Sequence, residues 1–337
     1  MNLTRRHFML KGAVGLLGTL AAGRSGSLAA AAGAKDHAPG HTGNLTVGEV
    51  DLKRLGFDPA RYLTHFDWGK ASRLAGGRTL REFTIIASER EIEIAPGVFF
   101  PAWVFNGTVP GPTLRAREGD LMRVRLINAS THPHTLHFHG FHKAEMDGVP
   151  GIGRGDVLPG ESFTYEFEAS PFGLHLYHCH SLPLKRHIHK GLYGTFIVDP
   201  KQGRPPAREL VMMMNGFDTN FDDENEVYAV NSVAFHYAKH PVRVKRNELV
   251  RIYLVNITEF DPINSIHIHG NFFHVYRTGT QLRPTEFTDT IMLCQAERAI
   301  LELRFPFAGR FMFHAHQTEF TELGWMGMFE VTENGAV

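Results

Sequence analysis

The chain has 337 residues, in which 35 basic side chains balance 35 acidic ones and only two cysteines occur. That balance offers no electrostatic footing for nucleic acid or an anionic membrane surface. The length allows two domains of ordinary size with substantial cores.

The N-terminus opens with Thr4-Arg5-Arg6-His7-Phe8-Met9-Leu10-Lys11, continues through a modestly apolar Gly/Ala-rich stretch from Gly12 to Ala22, and ends in small residues from Ser27 to Ala34. A charged start, a short apolar centre and a small-residue region make up an export signal. The paired arginines resemble a twin-arginine signal. Residues 1–34 are therefore expected to direct export to the periplasm or beyond the cell. The apolar stretch is shorter than the ~20 residues of a spanning helix. No later stretch is long and apolar enough either, so no membrane anchor is expected. Residues 35–78 read as an N-terminal arm, with a short helix near Val50 to Gly56.

From residue 79 the pattern is all-β. Leu121–Asn128 and Leu249–Asn256 run apolar or alternate over strand lengths between Gly, Pro, Asn and Asp. Glu82 to Ala87, Glu91 to Ile94, Phe163 to Phe167, Gly194 to Val198, Ile300 to Phe305 and Gly327 to Val331 are further expected strands. Many short strands with frequent turns point to Greek-key sandwiches or barrels. Pro200-Lys-Gln-Gly-Arg-Pro-Pro206 reads as a linker. It separates a first domain, 79–200, from a second, 201–337.

The histidines carry the chemistry. His137-Phe-His139, His178-Cys-His180, His267-Ile-His269 and His314-Ala-His316 repeat one spacing, and only the second encloses a cysteine. A shift of 130 residues carries His137 and His139 onto His267 and His269; a shift of 136 carries His178 and His180 onto His314 and His316. Such self-similarity indicates duplication of one domain. Alternate residues of a strand face the same way, so each pair can present two rings to one cavity while Cys179 points oppositely. Imidazoles with a thiolate suit copper. Eight imidazoles exceed the needs of one ion, which implies a cluster beside a separate thiolate site.

The halves differ in a consistent way. The first adds His134 upstream and His187 after Cys179. In the second, Asn264 stands for His134, Ala315 for Cys179, Phe320 for His187 and Trp325 for Leu192. One half keeps a thiolate site that the other has lost.

These motifs resemble the multicopper oxidases, specifically the two-domain, laccase-like ones whose type 1 copper lies in the first domain. The resemblance covers essentially the whole mature chain. It implies two tandem cupredoxin-like domains and about four copper ions per chain. It also implies a homotrimer with each cluster between domain 1 of one subunit and domain 2 of the next, a ring-closing contact. By motif position, His134, Cys179 and His187 match the type 1 ligands, with Leu192 at the axial position. A leucine cannot coordinate, which implies a higher potential than a methionine-ligated site. His137 and His267 match the type 2 ligands. His139, His178, His180, His269, His314 and His316 match the type 3 pair. Asp147 matches the acidic residue that relays protons near the cluster, and Glu319 and Glu322 are candidates on the other side.

The implied activity is one-electron oxidation of a phenol, an aromatic amine or a metal ion, coupled to four-electron reduction of O2. A copper nitrite reductase is the alternative; that family carries aspartate at the place of His137 and lacks a histidine at the place of His180. A non-enzymatic copper carrier would leave most of the histidines unexplained. His142, His175 and His189 fall off the motif spacing and read as supporting groups. Lys185, Arg186 and Lys190 read by default as a solvated face, the alternative being a basic rim that meets a partner or substrate, and Met212-Met-Met214 reads as core. Cys294, in an apolar run, is expected to be a buried free thiol.

Overall fold

The computed structural model describes residues 47–56 and 58–335. The expected export signal, residues 1–34, and the first part of the expected arm lie outside the described residues.

Four sheets, two in each half, form the molecule. In the first half, Lys70–Arg73, Thr79–Ala95, Leu121–Asn128 and Ser162–Glu168 lie side by side, with Val98–Phe105 also paired to Thr79–Ala95. The facing sheet orders Gly111–Arg117, Tyr193–Asp199, Gly173–His178 and His137–Phe138. The second half repeats the plan. Arg208–Phe217 pairs parallel to Val250–Asn256, as Thr79–Ala95 does to Leu121–Asn128. Val242–Lys245 pairs parallel to Met326–Thr332, as Gly111–Arg117 does to Tyr193–Asp199. The expected all-β, two-sheet Greek-key architecture is present in both halves, and no sheet draws strands from both.

Two differences from the sequence reading have simple causes. Glu82 to Ala87 and Glu91 to Ile94 are parts of one 17-residue strand, Thr79–Ala95. The polar Ser88-Glu-Arg90 resembles a turn, yet the side chains continue to alternate between faces. Lys70–Arg73, in the sequence-defined arm, pairs with Thr79–Glu82 and extends the first sheet. The short helix near Val50 is present at Leu52–Leu55, with Asp51 accepting the Lys53 N–H at its N-cap.

Three apolar clusters hold the assembly. One fills each sandwich. A third spans the halves, joining Ile94, Phe100, Leu176 and Tyr193 to Met213, Phe217, Tyr253 and Ile300. The strand Arg208–Phe217 is buried on both faces: Met212 and Met214 enter the second-half core and Met213 the shared one. The three methionines are therefore packing, as their sequence position suggested.

A polar clamp crosses the same boundary. The Arg115 guanidinium donates to both Asp199 oxygens at 2.9 Å and to Glu209 at 2.8 and 3.0 Å. Glu209 also accepts from Arg251 at 3.2 Å and from the Tyr253 hydroxyl at 2.6 Å. Removing one partner of a buried ionic group strands the others without solvent. Arg115→Met should destabilise the protein by about 3 kcal/mol, read as a lower midpoint in thermal unfolding. An unchanged midpoint would show that the clamp contributes nothing net.

Candidate metal centre

Strand pairing builds the site. His137 sits opposite His178 in one ladder, and His267 sits opposite His314 in the equivalent one. The chain continues past His178 so that Cys179 turns inward while the histidines face out.

Inside the first half, His134, Cys179 and His187 converge in a closed pocket. All three are almost fully buried. His134 Nδ1 lies 3.3 Å from His187 Nδ1, and Cys179 Sγ lies 3.7 and 3.2 Å from those atoms. A first-row metal with bonds of about 2.0 Å to nitrogen and about 2.3 Å to sulfur, in a trigonal plane, separates its donors by about 3.5 Å. The observed spacing fits such an ion. Burial pushes His134 down to about 3 and His187 down to about 4, so both rings are neutral and able to ligate at neutral pH. Burial also raises the Cys179 thiol. A bound cation reverses that preference, because a coordinating thiol is deprotonated. Cys179 Sγ accepts the Thr135 N–H at 3.3 Å. Leu192, fully buried in the same cluster, offers no donor atom. The Trp103 ring lies 5.4 Å from His134 and 4.8 Å from His187.

The outward histidines form two groups of matching geometry. In the first, His137 lies 5.1, 5.2 and 5.3 Å from His139, His178 and His180, measured between ring centroids. In the second, His267 lies 5.0, 5.5 and 5.5 Å from His269, His314 and His316. No ring contact or hydrogen bond joins the two groups among the described residues.

Backbone carbonyls fix the tautomers. A carbonyl can only accept, so a ring nitrogen beside one carries the proton and leaves the other nitrogen with a free lone pair. His137 Nδ1 lies 2.9 Å from the Asp147 carbonyl, and His267 Nδ1 lies 3.0 Å from that of Asp289. His178 Nδ1 lies 2.9 Å from the Cys179 carbonyl, and His314 Nδ1 lies 2.5 Å from that of Ala315. In both halves Nε2 is thereby the available donor. His139 Nε2 and His178 Nε2 approach to 3.3 Å, and His269 Nε2 and His314 Nε2 to 2.9 Å. The free Nε2 lone pairs of His178 and His314 thus face His139 Nε2 and His269 Nε2, close enough for the rings of each pair to share a cation. Burial lowers His178 to about 4 and lowers His139, His269 and His314 as well, which keeps them neutral.

Supporting groups repeat too. His180 N–H donates to Thr135 Oγ1 at 2.8 Å, and His316 N–H donates to Ser265 Oγ at 2.7 Å. Sequence reasoning missed this pair, although the 130-residue shift that aligns the motifs also aligns them. The second-half pocket equivalent to the thiolate site is filled by Asn264, Ala315, Phe320 and Trp325, all buried. Cys179 N–H donates to the Leu192 carbonyl, and Ala315 N–H to that of Trp325. Phe320 stacks on Tyr228 at 4.0 Å.

The acidic candidates separate. Asp147 Oδ1 lies 3.0 Å from His137 Nδ1 and 3.6 Å from His142 Nε2. Glu319 and Glu322, on the helix Thr318–Glu322, are exposed, and no hydrogen bond or ion pair joins their side chains to the histidines. Asp289, which the sequence did not single out, lies beside His267 instead, its Oδ2 4.0 Å from Nδ1. Loops of different length separate the two aspartates from their histidines, so the repeat offset hides their equivalence. His175 and His189 serve as hydrogen-bonding groups: His175 Nε2 lies 2.9 Å from the Pro171 carbonyl, and His189 Nε2 accepts the Asp218 N–H at 3.2 Å. Cys294 corrects the expectation of a buried thiol. It is exposed, because Ile291 and Leu293 point inward from the strand Thr290–Cys294 while Met292 and Cys294 point out. Neither cysteine is in a disulfide.

Two family models, both described as multicopper oxidase, match residues 87–203 and 203–335. A solved multicopper oxidase is 61% identical, with a TM-score of 0.83 over 84% of this chain and 100% of that one. The blue copper oxidase of Nitrosomonas europaea is 29% identical, with a TM-score of 0.68 over 75% of this chain and 86% of that one. The copper-containing nitrite reductase of Neisseria gonorrhoeae is 30% identical over 249 residues, 68% of this chain. The aligned part spans 62% of that reductase's length, short of two thirds.

The thiolate pocket generates a direct test. Copper-loaded protein should show the intense visible absorption of a copper–thiolate bond, and Cys179→Ser should abolish it and remove about one ion per chain. Persistence of the band in the variant would place that bond elsewhere.

Proposed function

The chain belongs to the multicopper oxidases, and from that membership we propose that it oxidises a small reducing donor one electron at a time and passes the electrons to dioxygen. The observation that carries the proposal is the pair of matched histidine groups, each with lone pairs turned outward, backed by one inward thiol. His134, Cys179 and His187 would hold a type 1 copper, with the buried side chain of Leu192 in the same apolar cluster supplying no donor atom. His137 and His267 would hold the type 2 ion, and His139, His178, His180, His269, His314 and His316 the type 3 pair, about four ions per chain in all. Bound copper supplies single-electron redox chemistry, so that O2 + 4 H+ + 4 e− gives 2 H2O.

The chain's own residues account for the rest. Cys179 is covalently flanked by His178 and His180, which makes the backbone a short link between the thiolate pocket and the cluster ligands. Asp147 holds a carboxyl against His137 Nδ1, where it can deliver protons that O2 reduction consumes. Asp289 occupies the matching place beside His267; Glu319 and Glu322 are exposed.

Each histidine group offers half of a cluster, and no ring contact or hydrogen bond joins it to the other among the described residues. A second subunit would complete it, and a head-to-tail contact that closes on itself gives a ring, here a homotrimer. The donors are small molecules of the laccase type, and the protein works after export. Nitrite reduction is the second reading, favoured by the 30% identity to the Neisseria enzyme.

Fully loaded protein should carry about four copper ions per chain and consume O2 with a phenol at four donors oxidised per O2, without accumulating peroxide. Two ions per chain together with nitrite consumption would favour the second reading instead. Asp147→Asn should slow O2 reduction by about a hundredfold with copper content unchanged, because the backbone carbonyl that orients His137 remains. A rate equal to that of the parent would remove Asp147 from proton delivery.

A further inference from the structure

Of the basic residues beside His187, Lys185 and Arg186 are exposed, as a solvated face requires, whereas Lys190 is buried. A cavity of 540 Å3, within the range of small-molecule sites, lies against the helix Leu184–His189 and is lined by Arg186, His189, Lys190, Phe221 and Phe260 among others. Lys190 is only 6% exposed. Its ammonium lies 5.0 and 4.9 Å from the ring centroids of Phe100 and Phe221, and no carboxylate lies within 4 Å of it among the described residues. Arg186 has no carboxylate partner either; its guanidinium lies 5.5 Å from the Trp103 ring centroid.

Both acids of the cavity are already committed. The Asp218 carboxylate accepts the backbone N–H groups of Phe221, Asp222 and Asp223. Asp223 pairs with Lys185 at 2.8 Å. Lys185, Arg186 and Lys190 against Asp218 and Asp223 leave the lining one positive charge in excess, and the buried Lys190 ammonium is the cation with no anion beside it.

Its walls are aromatic. Phe221 is 55% exposed, an unusual position for a large apolar ring beside a buried cation. Phe221 and Phe260 both sit in left-handed backbone conformation, with φ of 64° and 70°. Such strain in non-glycine residues gathers at ligand-binding positions. The His189 ring stands 4.9 Å from Phe260 and 6.1 Å from Phe221.

The cavity is also close to the thiolate pocket. Arg186 and His189 flank His187 within one helical turn, and the Trp103 ring under Arg186 meets both His187 and His134.

We propose that this cavity is the electron-donor site and that it selects aromatic donors bearing a carboxylate or sulfonate, the anion meeting Lys190 and Arg186 and the ring meeting Phe221 and Phe260. The proposal rests on the oxidase reading and narrows its donor. Metal-ion donors are disfavoured, because uncompensated positive charge repels them. Each phenolic donor loses one electron and its hydroxyl proton, and four such losses match the four electrons and four protons taken up by one O2.

The test uses copper-loaded full-length protein and three donors: 4-hydroxy-3-methoxybenzoate, the same methoxyphenol without its carboxylate, and a cationic aromatic diamine. Binding of redox-inactive benzoate is followed separately by calorimetry. The carboxylated donor should have the lowest KM. Lys190→Met should raise that KM and weaken benzoate binding by about tenfold each, the size of one lost charge-assisted contact. The KM of the neutral phenol, the kcat values and the copper–thiolate absorption should hold, and Lys190→Arg should restore the preference. Equal KM values for charged and neutral phenols in the parent, or no benzoate binding, would overturn the proposal. So would loss of all three donors together with the visible absorption in Lys190→Met while Lys190→Arg fails to discriminate. Lys190-dependent benzoate binding without O2 uptake from any donor would sink the oxidase reading and leave the anion site standing.

Discussion

The structure depends on the two-residue period of an extended chain. At His178-Cys179-His180, adjacent side chains must leave on opposite faces. One face looks into the dry interior of the first half, where His134 and His187 wait. The other looks outward toward His137 and His139. A one-residue slip would turn the thiol to the outside and a histidine to the inside. The ladder forbids it, because the flanking Leu176 and Tyr177 are both buried, in different cores. Register is thus set by apolar packing, and the metal-binding chemistry inherits that register.

Duplication explains why the other half keeps only part of this arrangement. The same ladder places His267 against His314, and the same carbonyl hydrogen bond follows at Ala315. With alanine in the cysteine's place there is no donor atom to gather ligands around. Volume must still be filled, since empty space forfeits contacts on every lining atom. Trp325 and Phe320 supply it, where Leu192 and His187 stand in the first half. The outward histidines are untouched because they face away from that replacement. Loss of the inner site and retention of the outer one are separable for the same geometric reason that the two sites are adjacent.

Much of this was legible in the sequence because it is periodic. Pair spacing, repeat offsets and the missing thiol partners in the second half are all one-dimensional patterns, and the structure brings each named histidine group together. Features that depend on loop paths were not legible. Asp289 reaches His267 through a loop that has no counterpart of equal length near His137. Trp103 comes from a strand far upstream and reaches the thiolate pocket only through folding. Lys190 looked like part of a charge run, and its burial is set by Phe100 and Phe221, neither of which is near it in sequence. Cys294 was misjudged because an apolar run was read as wholly buried, whereas a strand with one open face shows every second residue to water.

The environment of the thiolate pocket then determines how it can behave. Hydrogen bonds from Thr135 and Ser181 favour a thiolate at Cys179, but burial outweighs them. Burial raises the thiol and lowers His134 and His187, so the unloaded pocket is a set of neutral groups. A cation that enters must displace the thiol proton, which couples its affinity to pH: binding strengthens as pH rises toward the thiol's raised range. Once a cation is bound, the same dryness works on the redox balance. Leu192 donates no electron density, and low polarity penalises the more highly charged metal state. Both effects favour the reduced ion. On the proposed oxidase reading, a copper ion held there would draw electrons from a donor more readily, and the excess positive charge around Lys190 and Arg186 on the adjacent helix face would act in the same direction.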